Sequence, residues 1–389
     1  MNSALKLVAS LVAVLVVTAC NAGGSSSLPG AVGQARSLAQ PACPLALNGG
    51  VQCLVLVEKR QPRGETSGYG WTPADFQAAY NLPSATKGSD QLVAIVDSYD
   101  NPDVASDLTT YRSKFGLGSV KFRKYNEKGQ QKNYPSGSPG WGVEIDLDVQ
   151  MVSAVCPKCS IDLVEASSEA SPDMQKAEAT AVKLGAHVVS NSWICYSYSC
   201  VLDPQYFDKP GVVYTAGSGD ASYGLIGPPS TFPSVVAVGG TVLSQSGSGY
   251  SETVWGGAGS GCASEMKKPT WQHDPRCASR TDSDVAAVAQ DVAEFDSFSS
   301  GGWITVSGTS VATPLIAGVF ALAGNASSQN AAERLWTLKK KKRNKDLHYI
   351  SSGNNGSCGE SYLCTAGTEQ FKTYSGPSGW GTPNGIGAF

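Results

Sequence analysis

Apolar, β-branched runs alternate with segments of helical spacing along most of the chain. Gln91-Leu92-Val93-Ala94-Ile95-Val96 is one continuous apolar run, which predicts a strand covered on both faces. Asp103 to Phe115 reads as a surface helix entered through Pro102, where a missing N–H is tolerated. Val143 to Val155 carries apolar residues at helical spacing and stops at Cys156-Pro157. Ser160 to Val164 predicts a short strand, Asp173 to Leu184 a helix, and His187 to Ser190 another strand. Gly211 to Thr215 and Val235 to Val238 predict two more buried strands. Val311 to Gly324 is rich in Ala and Leu and predicts a helix with Pro314 in its first turn. Polar and glycine-rich stretches, notably Ser244 to Ser283, read as loops. Strands alternating with helices imply an α/β fold: a mostly parallel sheet with helices on both faces. No linker breaks the pattern from Gln91 on, so it predicts a single domain.

The first residues follow a different pattern. Lys6 precedes an apolar run, Leu7 to Val17, too short to span a bilayer but right for the core of a signal peptide. The run ends in Val17-Thr18-Ala19-Cys20, which is similar to a bacterial lipobox, whose Cys is lipidated and becomes the new amino terminus. Asn21 to Gln40, rich in Gly, Ser and Ala, reads as a flexible tether. The expectation is an exported protein, lipid-anchored through Cys20 at the outer-membrane or periplasmic face of the cell envelope, or released from it. Composition agrees, with 16% charged residues, 44 Gly and 11 Cys, an odd number that Cys20 explains. A net charge of −3 disfavours nucleic acid as a partner. The other ten cysteines fall into close pairs. In an oxidising compartment, pairing neighbours closes the shortest loops. That joins Cys43 to Cys53, Cys156 to Cys159, Cys195 to Cys200, Cys262 to Cys277 and Cys358 to Cys364. A zinc site from Cys156, Cys159, Cys195 and Cys200 is the alternative, but disulfides account for all ten residues at once.

The densest local signal is Ser307-Gly308-Thr309-Ser310-Val311-Ala312-Thr313-Pro314. It sets the Ser310 hydroxyl at a helix start, where free N–H groups and the helix dipole favour negative charge. A serine there is either an N-cap or a nucleophile that shares its position with an oxyanion hole. A nucleophile needs a base, and the chain has 3 histidines. His187 lies in a predicted strand and reads as packed, and His273 lies in the loop between Cys262 and Cys277. Neither these nor His348 has a His-Gly-Thr context. A carboxylate is the other source. Glu144 and Asp148 stand at i and i+4 on one helical face, while Asp146 points elsewhere. Ile145, Leu147, Val149 and Met151 make that helix largely buried. Two like charges on a buried face resist joint ionisation, so one can act as base while the other orients it. Ala216-Gly217-Ser218-Gly219-Asp220 follows a predicted strand. An Asp in a Gly-rich turn is common, and its carboxyl can donate a hydrogen bond only when protonated. Asp97, ending the first buried strand, reads as structural because no matching histidine stands beside it.

Together these segments resemble the sedolisin family, the serine-carboxyl peptidases of the subtilase superfamily. The octapeptide is similar to that superfamily's Ser-Gly-Thr-Ser nucleophile motif. Trp71-Thr72-Pro73-Ala74-Asp75-Phe76-Gln77-Ala78-Ala79-Tyr80, Asn191-Ser192-Trp193, Gly239-Gly240-Thr241 and Gly301-Gly302-Trp303 fit as well. The resemblance divides the chain into a lipoprotein signal at 1–20, a tether and short N-terminal segment at 21–68, and a peptidase domain at 69–389. It implies a subtilisin-like fold and a monomeric endopeptidase that cleaves polypeptides, best at acidic pH. Ser310 would be the nucleophile, Glu144 the base, Asp148 its orienting partner and Asp220 the oxyanion donor. The rivals are a noncatalytic envelope lipoprotein on a peptidase fold and a subtilisin-type Ser-His-Asp protease using Asp97. Only about 48 residues separate Cys20 from Tyr69, too few for the family's long folded propeptide. The acidic positions of the family's calcium site are taken by Tyr349 and Ser375, which supply no carboxylate, so no metal or cofactor is expected. The basic run Lys339 to Lys345 reads as a solvated face.

Overall fold

The computed structural model describes residues 39–389 except 47–48, 59–67, 327–329, 360, 370 and 372. The signal-like run, Cys20 and most of the tether lie outside the described residues. From residue 39 the chain contributes three short strands, β1 (Gln40–Pro41), β2 (Gln52–Cys53) and β3 (Leu56–Val57). Val51, Cys53, Leu54 and Val55 are buried, and the segment belongs to the same compact unit as the rest. The described residues before 69 therefore pack with those that follow. Burying this apolar stretch ties it to the body, which the adjoining Gly/Ser composition hides.

The central sheet is built from β4 (Leu92–Ser98), β5 (Phe122–Asn126), β6 (Ser160–Ala166), β7 (Val188–Asn191), β9 (Val213–Gly217), β10 (Val235–Ser246), β11 (Gly249–Val254) and β14 (Val285–Val288). Its order is β11-β10-β9-β7-β4-β6-β5, with β14 paired to β10. Every pairing is parallel except the β10–β11 hairpin. Both faces of β4 are buried, as its unbroken apolar run requires. The helices are α1 (Pro73–Ala79), α2 (Val104–Lys114), α3 (Pro139–Val155), α4 (Ser171–Lys183), α5 (Thr309–Ala323), α6 (Ala331–Thr337) and α7 (Lys340–Asp346). α3 is buried all round from Trp141 to Val155, and α5 from Thr309 to Leu322. They pack on each other through Gly318, where an added Cβ would lie 2.4 Å from Val155 Cγ2. The lysine run forms the largely exposed α7.

Three local expectations change. Ser244 to Ser283 contains the end of β10 and all of β11, β12 (Gly261–Lys267) and β13 (Ser279–Asp282). Glycine and serine dilute the alternation there, and cross-strand pairing supplies the order. Pro314 lies beyond the first turn of α5. His187 is exposed rather than packed, just before β7. The five neighbouring cysteine pairs are joined as disulfides, with Cα separations from 5.4 to 6.1 Å. Among the described residues no helix is long and apolar enough to cross a membrane.

Candidate active site

The site forms where α5 begins. Gly308 has φ +136°, and a Cβ there would lie 2.1 Å from the Leu54 carbonyl oxygen and 2.8 Å from Asp220 Oδ2. Glycine is required at this turn, and the turn sets Ser310 at the amino end of a rigid helix. Pro314 brings no N–H to the Ser310 carbonyl. That carbonyl lies instead 3.5 Å from Ser192 Oγ. The Ser310 hydroxyl donates to the Ser192 carbonyl oxygen at 3.4 Å and lies near enough to the Glu144 carboxyl to lower its pKa against burial.

Glu144 and Asp148 come from one face of α3, as the i, i+4 spacing requires. Glu144 Oε2 accepts from the Leu54 N–H at 2.8 Å, and Oε1 has no hydrogen-bond partner. Asp148 Oδ1 accepts from Ser192 Oγ at 2.6 Å. Ser192 follows β7 and precedes β8 (Trp193–Ile194), where Trp193 Nε1 donates to the Val96 carbonyl at 2.8 Å. That bond fixes the Ser192 turn against the end of β4. The same strand end carries Asp97, fully buried, with neither carboxylate oxygen partnered. Burial raises Glu144 and Asp148 well above the ordinary carboxylate range, and the Asp97 charge adds most among their neighbours. Burial pushes Asp97 itself up to about 8. Three buried carboxyl groups cannot all be ionised together, so they hold protons in common. Asp97 therefore belongs to the site's electrostatics and is more than a scaffold residue. The sequence hides this, because its partners lie on a distant helix.

Asp220 extends from the turn after β9. Its Oδ1 accepts from both the Thr309 N–H and the Thr309 hydroxyl at 2.8 Å, while Oδ2 is shielded and has no partner. Burial raises this carboxyl to about 7 against the lowering effect of the Thr309 donors. Below that pH it is neutral and can donate from Oδ2.

The histidines are occupied elsewhere. His187 Nδ1 is 3.3 Å from the Gly211 carbonyl oxygen, and His273 packs edge-on to Trp336. His348 lines a cavity of about 430 Å³ with Tyr250, Glu252 and Tyr349. Asp146 points to the other side of α3, where it meets Asp107 and Asp296, with one oxygen of each within 4.8 Å of the others. At the positions expected to lack calcium ligands, the Ser375 hydroxyl is 2.6 Å from that of Ser378 and Tyr349 brings no carboxylate. This pair does not suit a divalent cation.

The segment missed by sequence reasoning lies across the site. β2 pairs antiparallel with β8, matching Cys53 with Trp193 and Gln52 with Ile194. β3 pairs antiparallel with β16 (Gly302–Ser307), matching Leu56 with Ser307 and Val57 with Val306. Leu54 and Val55 pass between these ladders, and Ser310 is left with no exposed surface.

A model of the subtilase family matches residues 131–338. Kumamolisin from Bacillus sp. (strain MN-32) is 28% identical over 287 residues, covering 64% of this chain and 51% of the relative. Sedolisin from Pseudomonas sp. (strain 101) is 25% identical over 358 residues, covering 80% and 60%. The chain thus spans roughly half the length of the curated relatives it matches. The solved structure of Pseudomonas sedolisin, a serine-carboxyl proteinase complexed with pseudo-iodotyrostatin, superposes with a TM-score of 0.67. The match is at 23% identity and covers 81% of this chain and 95% of that one, which establishes a shared fold.

Proposed function

The chain belongs to the subtilase family, and on that premise we propose that it is a serine-carboxyl endopeptidase working through Ser310, Glu144 and Asp148. The observation that carries the reading is the Ser310 hydroxyl at a helix start against a buried Glu144, with all three histidines engaged elsewhere.

Ser310 Oγ attacks the scissile carbonyl carbon while Glu144 takes its proton. The oxyanion is stabilised by amide N–H groups of the first turn of α5 and by the neutral Asp220 carboxyl, which the two Thr309 donors aim. Glu144 returns the proton to the leaving amine, and the acyl group stays on Ser310. Water then attacks the ester with Glu144 again as base. Asp148, held by Ser192, and Asp97 share protons with Glu144, so the cluster has room for the proton that Ser310 gives up. Because Asp220 must be neutral, the reaction runs best on the acidic side of about 7. The substrate is an extended polypeptide met by a monomer. The lipobox-like end at Cys20 and the disulfides fit an exported enzyme anchored at the cell envelope.

Peptide cleavage by wild type, Ser310→Ala and Glu144→Gln tests this. Each substitution should lower kcat by about 10³-fold or more while leaving the unfolding midpoint nearly unchanged. A peptidyl aldehyde should label Ser310. Undiminished cleavage in both variants would sink the assignment.

A further inference from the structure

Four carboxyl groups converge on the side of α3 that turns away from Ser310. Asp107 comes from α2 and Asp146 from α3. Glu294 and Asp296 come from β15 (Val292–Asp296), where alternate residues share a face. All four are buried. One oxygen from each of Asp107, Asp146 and Asp296 lies within 4.8 Å of the other two. Asp107 accepts from the Ser297 N–H at 2.8 Å through one oxygen and from the Ser297 hydroxyl at 2.7 Å through the other. Asp296 accepts from the Ser299 N–H at 3.0 Å and the Ser299 hydroxyl at 2.6 Å in the same way. A carboxyl that accepts through both oxygens is held as the anion. Asp146 Oδ2 accepts from Asn101 Nδ2 at 2.5 Å, and Oδ1 has no partner.

Glu294 points independently to something bound there. It has no exposed surface, and neither of its carboxylate oxygens has a hydrogen-bond partner. Burial raises it well above the ordinary carboxylate range, and the charges of Asp146 and Asp296 add most among its neighbours, so it faces the same space. The Tyr111 hydroxyl, on the α2 face that carries Asp107, is also buried without a partner. Among the described residues no lysine, arginine or histidine forms an ion pair with any of the four acids. The neutral donors orient these carboxylates without balancing their charge, and buried charge needs a counter-charge. Ser297 and Ser299 are exposed, so the cluster lies directly beneath the surface.

We propose that Asp107, Asp146, Asp296 and Glu294 bind a calcium ion. Ca²⁺ takes about six to eight oxygens at ~2.3–2.6 Å, so oxygens across its shell stand about as far apart as these three do. A donor set of carboxylates with no nitrogen or sulfur suits a hard cation over zinc. Asn101, Ser297 and Ser299 hold the ligands from behind. The ion joins α2, α3 and β15. Its place is separate from Tyr349 and Ser375, which bring no carboxylate.

The full chain, stripped with EDTA and dialysed, is titrated with Ca²⁺ near neutral pH by calorimetry, and its unfolding midpoint is followed in parallel. A single saturable site per chain is expected. At about a hundredfold excess over its Kd, Ca²⁺ should raise the midpoint by roughly 5 °C. Asp296→Asn and Glu294→Gln should weaken binding by about a hundredfold and tenfold respectively. Without Ca²⁺ both should unfold no earlier than wild type, because each removes one of several like charges. A core variant can fail to fold, so Ser299→Ala at the exposed rim carries the same test, with binding about tenfold weaker. Ser310→Ala should bind Ca²⁺ as wild type does, whatever its peptidase activity. A wild-type chain that takes up no Ca²⁺ and keeps its midpoint overturns the site. So does binding that is unchanged in both Asp296→Asn and Ser299→Ala.

Discussion

Asp220 concentrates the chemistry of the site in one side chain. One oxygen is saturated by Thr309, and the other is free to donate only while the carboxyl is neutral. Its pKa near 7 makes the donor vanish as pH rises through that value. The sign is fixed by charge: an ionised Asp220 would face a developing oxyanion with a second negative charge. Asn donates at every pH. Asp220→Asn should therefore keep measurable activity in acid, within about a hundredfold of wild type, and lose the falling limb near neutrality. Asp220→Ala should lose about 10²–10³-fold in kcat across the profile. Profiles of kcat against pH decide it, and an unchanged alkaline limb in Asp220→Asn would remove Asp220 from the mechanism.

Two buried helices carry Ser310 and Glu144, so their spacing matters as much as either side chain. α5 meets α3 at Gly318, with no room for a β-carbon beside Val155. Gly318→Val should destabilise the fold by about 2–3 kcal/mol. It should also reduce kcat more than KM, because it drives Ser310 away from Glu144. Denaturant unfolding and steady-state kinetics measure the two effects, and equal stability with equal kcat would show that the contact can relax. Both helices are legible in the sequence because they are long and apolar, and so is β4, whose run is uninterrupted. Ser310, Glu144 and Asp148 are legible because their signals are local: an octapeptide and an i, i+4 pair. Asp97 is not legible as a site residue, since only the register of β4 beneath Trp193 brings it to α3. β2 and β3 leave no trace, as strands of two residues have no period of their own and exist through their partners β8 and β16. The β11–β13 region reads as loop for a related reason: its strands are defined by pairing more than by pattern.

Across the whole molecule the buried acids set the pH at which the fold is firmest. Burial raises Asp97 to about 8, Asp220 and Asp282 to about 7, and Glu165 to about 10. The unfolded chain releases these protons near pH ~4. Between that pH and the folded-state values, the native protein holds protons that the unfolded chain has lost. Stability then falls as pH rises through the window. A lowered carboxyl such as Glu127, whose partial burial is outweighed by Lys176 and Ser167, acts in the reverse sense. The loss from about pH 5 to about pH 8 should amount to a few kcal/mol. A carboxyl whose pKa is raised by one contributes ~1.4 kcal/mol, and coupling among these groups keeps the total below the sum of its parts. Asp97→Asn, which cannot ionise, should flatten the slope. Urea unfolding at a series of pH values checks both, and a stability that climbs over this range would mean that the carboxyl cluster is already ionised in the folded state. The same protons that stabilise the fold keep Asp220 a donor, so acid should favour stability and peptide hydrolysis together.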